Sequence, residues 1–184
     1  GYLDISVPKS YGDYVGTDDK ITIDGVDWYA IERTTYNGKN MVKIFMADTN
    51  VINGEVFNST LGENAWTDSP IRNTILPNWL SDMPTLKSMV VFDHPDAGKA
   101  TYSPALSPNT NGDSYVDSIF LISESEYDTL LRSEQKKSSY IWWLRTPGTY
   151  YGRVMYGYTT GTLETYGGHT TGSIGVRPAL WIYH

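Results

Sequence analysis

Hydrophobic and polar positions alternate through the first third of the chain, and turn residues punctuate them at short intervals. Lys20-Ile21-Thr22-Ile23 alternates, and Asp24-Gly25 is a hairpin turn pair. Val26 to Arg33 returns as the partner strand, with Trp28, Ala30 and Glu32 against Asp27, Tyr29 and Ile31. Asn37-Gly38 is a second type I′ signal, and Met41 to Met46 supplies a third strand. The pattern predicts an antiparallel meander. Residues 1 to 20 are polar and turn-rich and read as a tail packed loosely before it.

The period then lengthens. Asp68-Ser69-Pro70 offers a capping side chain followed by Pro at the first helical position, where its missing N–H costs nothing. Ile71, Ile75 and Leu76 share a face, Pro77 interrupts or restarts the helix, and Trp79-Leu80 continues the apolar side. A loop rich in Pro, Asn, Ser and Asp covers about residues 93 to 118. Ser123 and Glu126 then form a capping box ahead of the buried stripe Tyr127, Leu130, Leu131, and the polar run 134 to 139 ends that helix. The last third alternates again. Tyr140 to Leu144, Val154 to Tyr158, Thr162 to Tyr166 and Gly175 to Tyr183 read as strands, the middle pair closed by Thr159-Thr160-Gly161. These elements predict one α+β domain of antiparallel strands, two helices and a long, loop-rich C-terminal β region, with its termini side by side.

Length agrees with one domain, since 184 residues suffice for a single buried core. The net charge of −7 repels phosphate backbones and argues against nucleic acid. No apolar run approaches the roughly 20 residues of a membrane helix. Cysteine is absent, which removes disulfides, thiolate catalysis and zinc–thiolate sites together. No charged-then-apolar leader follows Gly1, so a secretion signal is missing or was trimmed. There is no Gly-rich phosphate loop, no nucleophile elbow and no carboxylate pair placed by motif. The reading is therefore a binding domain, not an enzyme.

Three landmarks coincide: Trp66-Thr67-Asp68-Ser69-Pro70-Ile71-Arg72; residues 119 to 126, Ile-Phe-Leu-Ile-Ser-Glu-Ser-Glu; and Trp142-Trp143-Leu144-Arg145-Thr146-Pro147-Gly148 with Gly175-Val176-Arg177-Pro178-Ala179-Leu180-Trp181. Together they resemble a bacterial and phage family of uncharacterised domains marked by a WWLRSPG…GVRPALW signature, from about Ile21 to Ile182. Thr146 stands where that family usually has Ser. The family resembles a branch of the C-type lectin fold near the formylglycine-generating and sulfatase-modifying group. That branch also supplies the variable proteins of diversity-generating retroelements, in which codons of one exposed C-terminal stretch are rewritten at adenines. The enzymes of the branch rely on cysteine, so a degenerate enzyme of that group is disfavoured here. What the resemblance implies is a scaffold of residues 21–145 and 174–184 displaying a variable face, 146–173, on a cell surface, outside the cell or on a phage virion.

The composition of that segment fits a recognition face. Tyr, Thr and Gly dominate it, and Arg153 and Glu164 are its only charges. Tyr gives large amphipathic contacts at low entropy cost, while Thr, Ser and Gly adapt. The candidate ligand contacts are Thr149, Tyr150, Tyr151, Arg153, Tyr156, Tyr158, Thr159, Thr160, Glu164, Tyr166, His169, Thr170, Thr171 and Ser173, with Val154, Met155, Leu163 and Ile174 spaced to face inward. The same richness also describes ordinary exposed hairpins; the flanking motifs favour the ligand face. A randomised AAY codon cannot encode Lys, Glu, Gln, Met or Trp. The chain holds 27 of these in 184 positions, yet this segment holds only Met155 and Glu164. The expected partner is a protein or glycan. Alternatives are an undiversified carbohydrate-binding adhesin module and a structural virion or pilus component.

Other groups read as structural. Asn109, Asn111, Asp113 and Asp117 surround Gly112 with oxygens of the kind calcium takes, but no bidentate Glu closes the loop, and an Asx-rich turn is favoured. No other cofactor is indicated. Arg145 and Arg177 read as buried guanidinium groups forked onto carboxylates or backbone carbonyls, with Asp68 and Glu63 as candidate partners. His94, His169 and His184 share no metal spacing.

Overall fold

The computed structural model describes residues 9–91 and 117–184. Strands β1 (Lys20–Ile23), β2 (Val26–Tyr36) and β3 (Lys39–Met46) form the expected meander. Both turns are of the left-handed kind, with φ of 49° and 77° at Asp24-Gly25 and 50° and 73° at Asn37-Gly38. These values match the twist of the flanking strands, which is why Asp-Gly and Asn-Gly stand there. β2 does not keep strict alternation. A bulge between Ala30 and Glu32 leaves Trp28 through Ile31 all buried.

Of the N-terminal stretch, the described residues 9–20 are held against the domain rather than loose. Tyr11–Tyr14 is a 3-10 turn whose tyrosines pack on the core, and Gly12 lies against the His184 ring. Arg132 ties it down through Gly16 O (2.8 Å) and Asp18 (2.9 Å).

Ser69 begins the first helical stretch as expected, accepting from Ile71 N–H at 3.2 Å and donating to Phe57 O at 2.6 Å. The stretch differs from a plain helix. Ile71–Ile75 is a π turn, followed by α1 (Leu76–Ser81). Pro77 has no N–H for the carbonyl four residues back and its ring crowds that carbonyl, so the helix widens just before it. A separate helix, α2 (Pro84–Met89), follows. Its Leu86 N–H is accepted by Asp24 of the β1–β2 turn at 2.9 Å, a cap from 62 residues away.

β5 (Phe120–Leu121) leads into α3 (Glu124–Leu130), whose capping box forms as read: Glu126 N–H to Ser123 Oγ at 3.2 Å and Ser123 N–H to Glu126 Oε2 at 2.8 Å. Leu131 is extended, and α4 (Ser133–Lys136) takes up part of the polar run. So the expected two helices are four short α-helices among the described residues. The C-terminal strands are β6 (Trp142–Pro147), β7 (Arg153–Gly157), β8 (Leu163–His169) and β10 (Pro178–Tyr183). β4 (Glu55–Val56) and β9 (Ser173–Ile174) add a small antiparallel pair.

One sheet runs β1-β2-β3-β10-β5 and another β6-β7-β8. The terminal strands share a sheet but are separated by the β2–β3 hairpin. The domain is thus α+β with mainly antiparallel sheets. Trp142 and Trp143 point to opposite sides of β6, as successive strand residues do. Trp142 packs on Phe45 (5.4 Å between ring centroids) and Tyr127 (5.8 Å); Trp143 packs on Phe57 (5.8 Å). Trp142 joins the two sheets, and Trp143 ties β6 to the β4 segment through Phe57 and the Glu55 carbonyl. No described helix is long and apolar enough to cross a membrane.

The framework arginines are buried and fork onto a carboxylate or backbone carbonyls as expected, but the candidate partners Asp68 and Glu63 are not the ones used. Arg145 pairs with Glu126 at 2.7 Å, neither with Asp68 nor with Glu63. Arg177 meets three carbonyls, Met46 and Ala47 at 3.0 Å and Gln135 at 2.8 Å.

Candidate ligand-binding face

β7 and β8 pair in register at Arg153↔His169 and Val154↔Gly168, and again at Tyr156↔Glu164. Between these points β7 has one residue and β8 has three. The extra length loops out at Thr165–Gly167, and the preceding turn catches it. Thr149 N–H donates to Thr165 O (2.8 Å) and Tyr150 N–H to Tyr166 O (3.3 Å). The approach is too close for side chains. A Cβ on Gly148 would lie 2.5 Å from Tyr166 O, and one on Gly167, at φ 92°, 2.9 Å from Val154 O. The glycines of this segment therefore set the bulge that aims Tyr166 outward.

Tyr150 and Tyr166 consequently stack, 4.9 Å between centroids at 28°, and both are about half exposed (49% and 51%). The Arg153 guanidinium lies 5.0 Å from one ring and 5.4 Å from the other. Its Nη1 donates to Gly167 O (3.1 Å), and its Nη2 is 3.3 Å from His169 Nε2.

A second group sits further along the hairpin. Tyr156 packs edge-on to Trp143 (6.4 Å) and to Tyr158 (5.2 Å). The Tyr156 O–H donates to Tyr158 Oη (3.2 Å), and the Tyr158 O–H to Glu164 Oε2 (3.1 Å). These two bonds push the Tyr158 pKa up to about 12. Glu164 Oε1 also accepts Tyr166 N–H at 3.0 Å. Thr159 and Thr160 lie at the exposed turn, where Thr159 O accepts Ser138 N–H.

Most of the expected contacts therefore lie on one hairpin. Thr149, Tyr151, His169, Thr171 and Ser173 are also exposed, and Val154 and Met155 are buried as framework. Thr170 is a correction. Its side chain is fully buried, donating to Thr60 O (3.0 Å) and accepting Gly62 N–H (3.3 Å), so it staples the hairpin to the 59–62 loop and meets no solvent. That staple brings in a residue the sequence reading missed. Gly62 touches Gly152, whose Cβ would lie 2.9 Å from Gly62 Cα, so Leu61 and Tyr151 flank one contact at 65% and 62% exposure. A lone leucine between Thr60 and Gly62 was the available signal.

Of the calcium candidates, Asn109, Asn111 and Asp113 lie outside the described residues, as does His94. Asp117 accepts from Trp66 Nε1 (2.9 Å) and pairs with Arg72 (2.8 Å), a structural role. Among the described residues no three metal-ligating side chains converge.

Fold and face together define an α+β domain displaying a tyrosine-rich hairpin on a tryptophan-stitched frame. The chain belongs to the family described as Domain of unknown function (DUF6273), which matches residues 41–184 and so includes the whole face. No curated protein and no solved structure matches the chain.

Proposed function

We propose that this domain acts by binding alone, as a C-type-lectin-like variable protein of a diversity-generating retroelement that recognises a protein or glycan through the β7–β8 face. One observation carries the reading. Tyr150, Tyr151, Tyr158 and Tyr166 are four of the seven large hydrophobic side chains exposed among the described residues. Each exposes apolar surface whose removal from water would favour contact with a partner, and each is mounted on backbone beside a packed glycine.

Diversification draws support from the division of residue types. The exposed positions carry Tyr, Thr, Ser and His, all encodable by a randomised AAY codon. Of the two exceptions, Met155 is buried framework and Glu164 is half-buried and bonded to its neighbours. The test is on the gene. DNA flanking the coding sequence should hold an imperfect copy of the codons for residues 142 to 182, differing at adenines, near a reverse transcriptase gene. The Met155 and Glu164 codons should be unchanged between copies. A completed neighbourhood with neither repeat nor reverse transcriptase would rule diversification out and leave a surface adhesin of fixed specificity. That second reading is favoured by the stacked, half-exposed Tyr150–Tyr166 pair, a flat platform of the kind sugar rings use.

A further inference from the structure

Arg153 stands beside the exposed Tyr150 and Tyr166 without an anionic partner. Arg72, Arg132 and Arg145 each face a carboxylate at 2.7 to 2.9 Å, while Arg177 is satisfied by three buried carbonyls and Arg33 lies exposed on β2, away from this face. Arg153 has none within ion-pair distance among the described residues, although the chain as a whole carries a net charge of −7. The nearest candidate by strand position, Glu164, is committed to Tyr158 and to the Tyr166 N–H. Arg153 Nε is buried and unpartnered, and Nη1 is taken by Gly167 O. Nη2 spends one N–H on the exposed His169 Nε2 at 3.3 Å, which leaves its second, outer N–H to meet a ligand.

We infer that the face takes a carboxylate-bearing sugar whose acid group pairs with the Nη2 edge of Arg153 beside His169; this rests on the binding reading above. The guanidinium is already held by one carbonyl and two tyrosine rings, so little rotamer freedom remains to be lost when an anion docks. A carboxylate there meets a charge-assisted donor in a partly desolvated setting, where such bonds are strongest. The surroundings fit the rest of a sugar. Thr149, Thr171 and the tyrosine hydroxyls both donate and accept, as sugar hydroxyls do. The Tyr150–Tyr166 stack offers an apolar plane to the C–H side of the ring.

The test uses immobilised oligosaccharides in matched sets: one ending in a uronic or sialic acid, its neutral parent, and a sulfated analogue. The full chain should bind the carboxylated member, with the neutral parent weaker by roughly tenfold or more. Arg153→Gln should abolish that difference while the melting midpoint holds. If that variant fails to fold, the salt dependence of the unsubstituted protein decides, since preference for the acid should shrink as salt rises. Equal binding of acidic and neutral members, preference for sulfate alone, full retention by Arg153→Gln, or a preference that salt leaves unchanged would overturn the inference. Absence of binding to every glycan would overturn it too, in favour of a protein ligand. Binding of neutral sugars that is lost in Tyr150→Ala and Tyr166→Ala would keep the face and discard only the acid. Glycan binding insensitive to all three substitutions would discard both.

Discussion

Glu126 meets three groups with one carboxylate: the Ser123 N–H that it caps, the Arg145 guanidinium and the Lys43 ammonium at 2.9 Å. Burial raises its pKa most, but Arg145, Lys43 and the hydrogen bonds together outweigh burial and leave it below its ordinary value. With a lowered folded pKa, the ionised group stabilises the fold above the unfolded carboxyl value of 4.5 and loses that contribution as pH falls through the folded value. Glu126→Gln leaves the buried Arg145 without a carboxylate, whereas Lys43 keeps Glu32 at 2.6 Å. The substitution should cost about 3 kcal/mol at neutral pH and flatten the acid limb of urea midpoint against pH; an unchanged limb would show that Glu126 is not its source. Arg177 is the second such residue. It lies 4.2 Å from the Phe45 ring and 4.7 Å from Trp142, and burial pushes its pKa down to about 9. A lysine cannot fork onto three carbonyls, so Arg177→Lys should lose roughly 2 to 4 kcal/mol. Binding by the folded fraction should be unaltered, as calorimetric melting beside a binding titration would report.

At the scale of elements, the shortest pieces depend on distant support. α2 has six residues and receives its cap from the β1–β2 turn. Asp24→Gly separates two roles of that aspartate, because glycine suits the left-handed turn at least as well while removing the cap. The melting midpoint should fall. A midpoint that rises would mean that turn strain at Asp24 outweighs the cap. The bonds from Thr85 and Leu86 also hold the Asp24 carboxyl below its ordinary value. β8 depends in the same way on the 148–150 turn, which fills the gap its bulge leaves, and the recognition face inherits its shape from that pairing.

For the whole molecule, the five-stranded sheet sets the boundaries. The family match opens at Met41, inside β3, yet β3 pairs along its length with β2. A chain cut to residues 41–184 would leave that edge unpaired and uncover Met41, Val42, Ile44 and Phe45, all fully buried in the intact domain. It should aggregate or lack a cooperative melt, whereas a chain starting at Lys9 should melt cooperatively. Circular dichroism and size-exclusion chromatography of the two would decide this.

Sequence alone determined the features that short-range physics governs. Both left-handed turns, the Ser123–Glu126 capping box, the helix start at Ser69 and the β7–β8 hairpin each depend on residues within a few positions. The composition of the face was legible for the same reason, since residue types are local. The tertiary structure alone decided whatever depends on groups far apart in the chain. It paired Arg145 with Glu126, buried Thr170 under the 59–62 loop, brought Leu61 beside Tyr151 and left Arg153 without a carboxylate. No local pattern encodes these outcomes, because each depends on which distant segments the packed domain brings together and which it keeps apart.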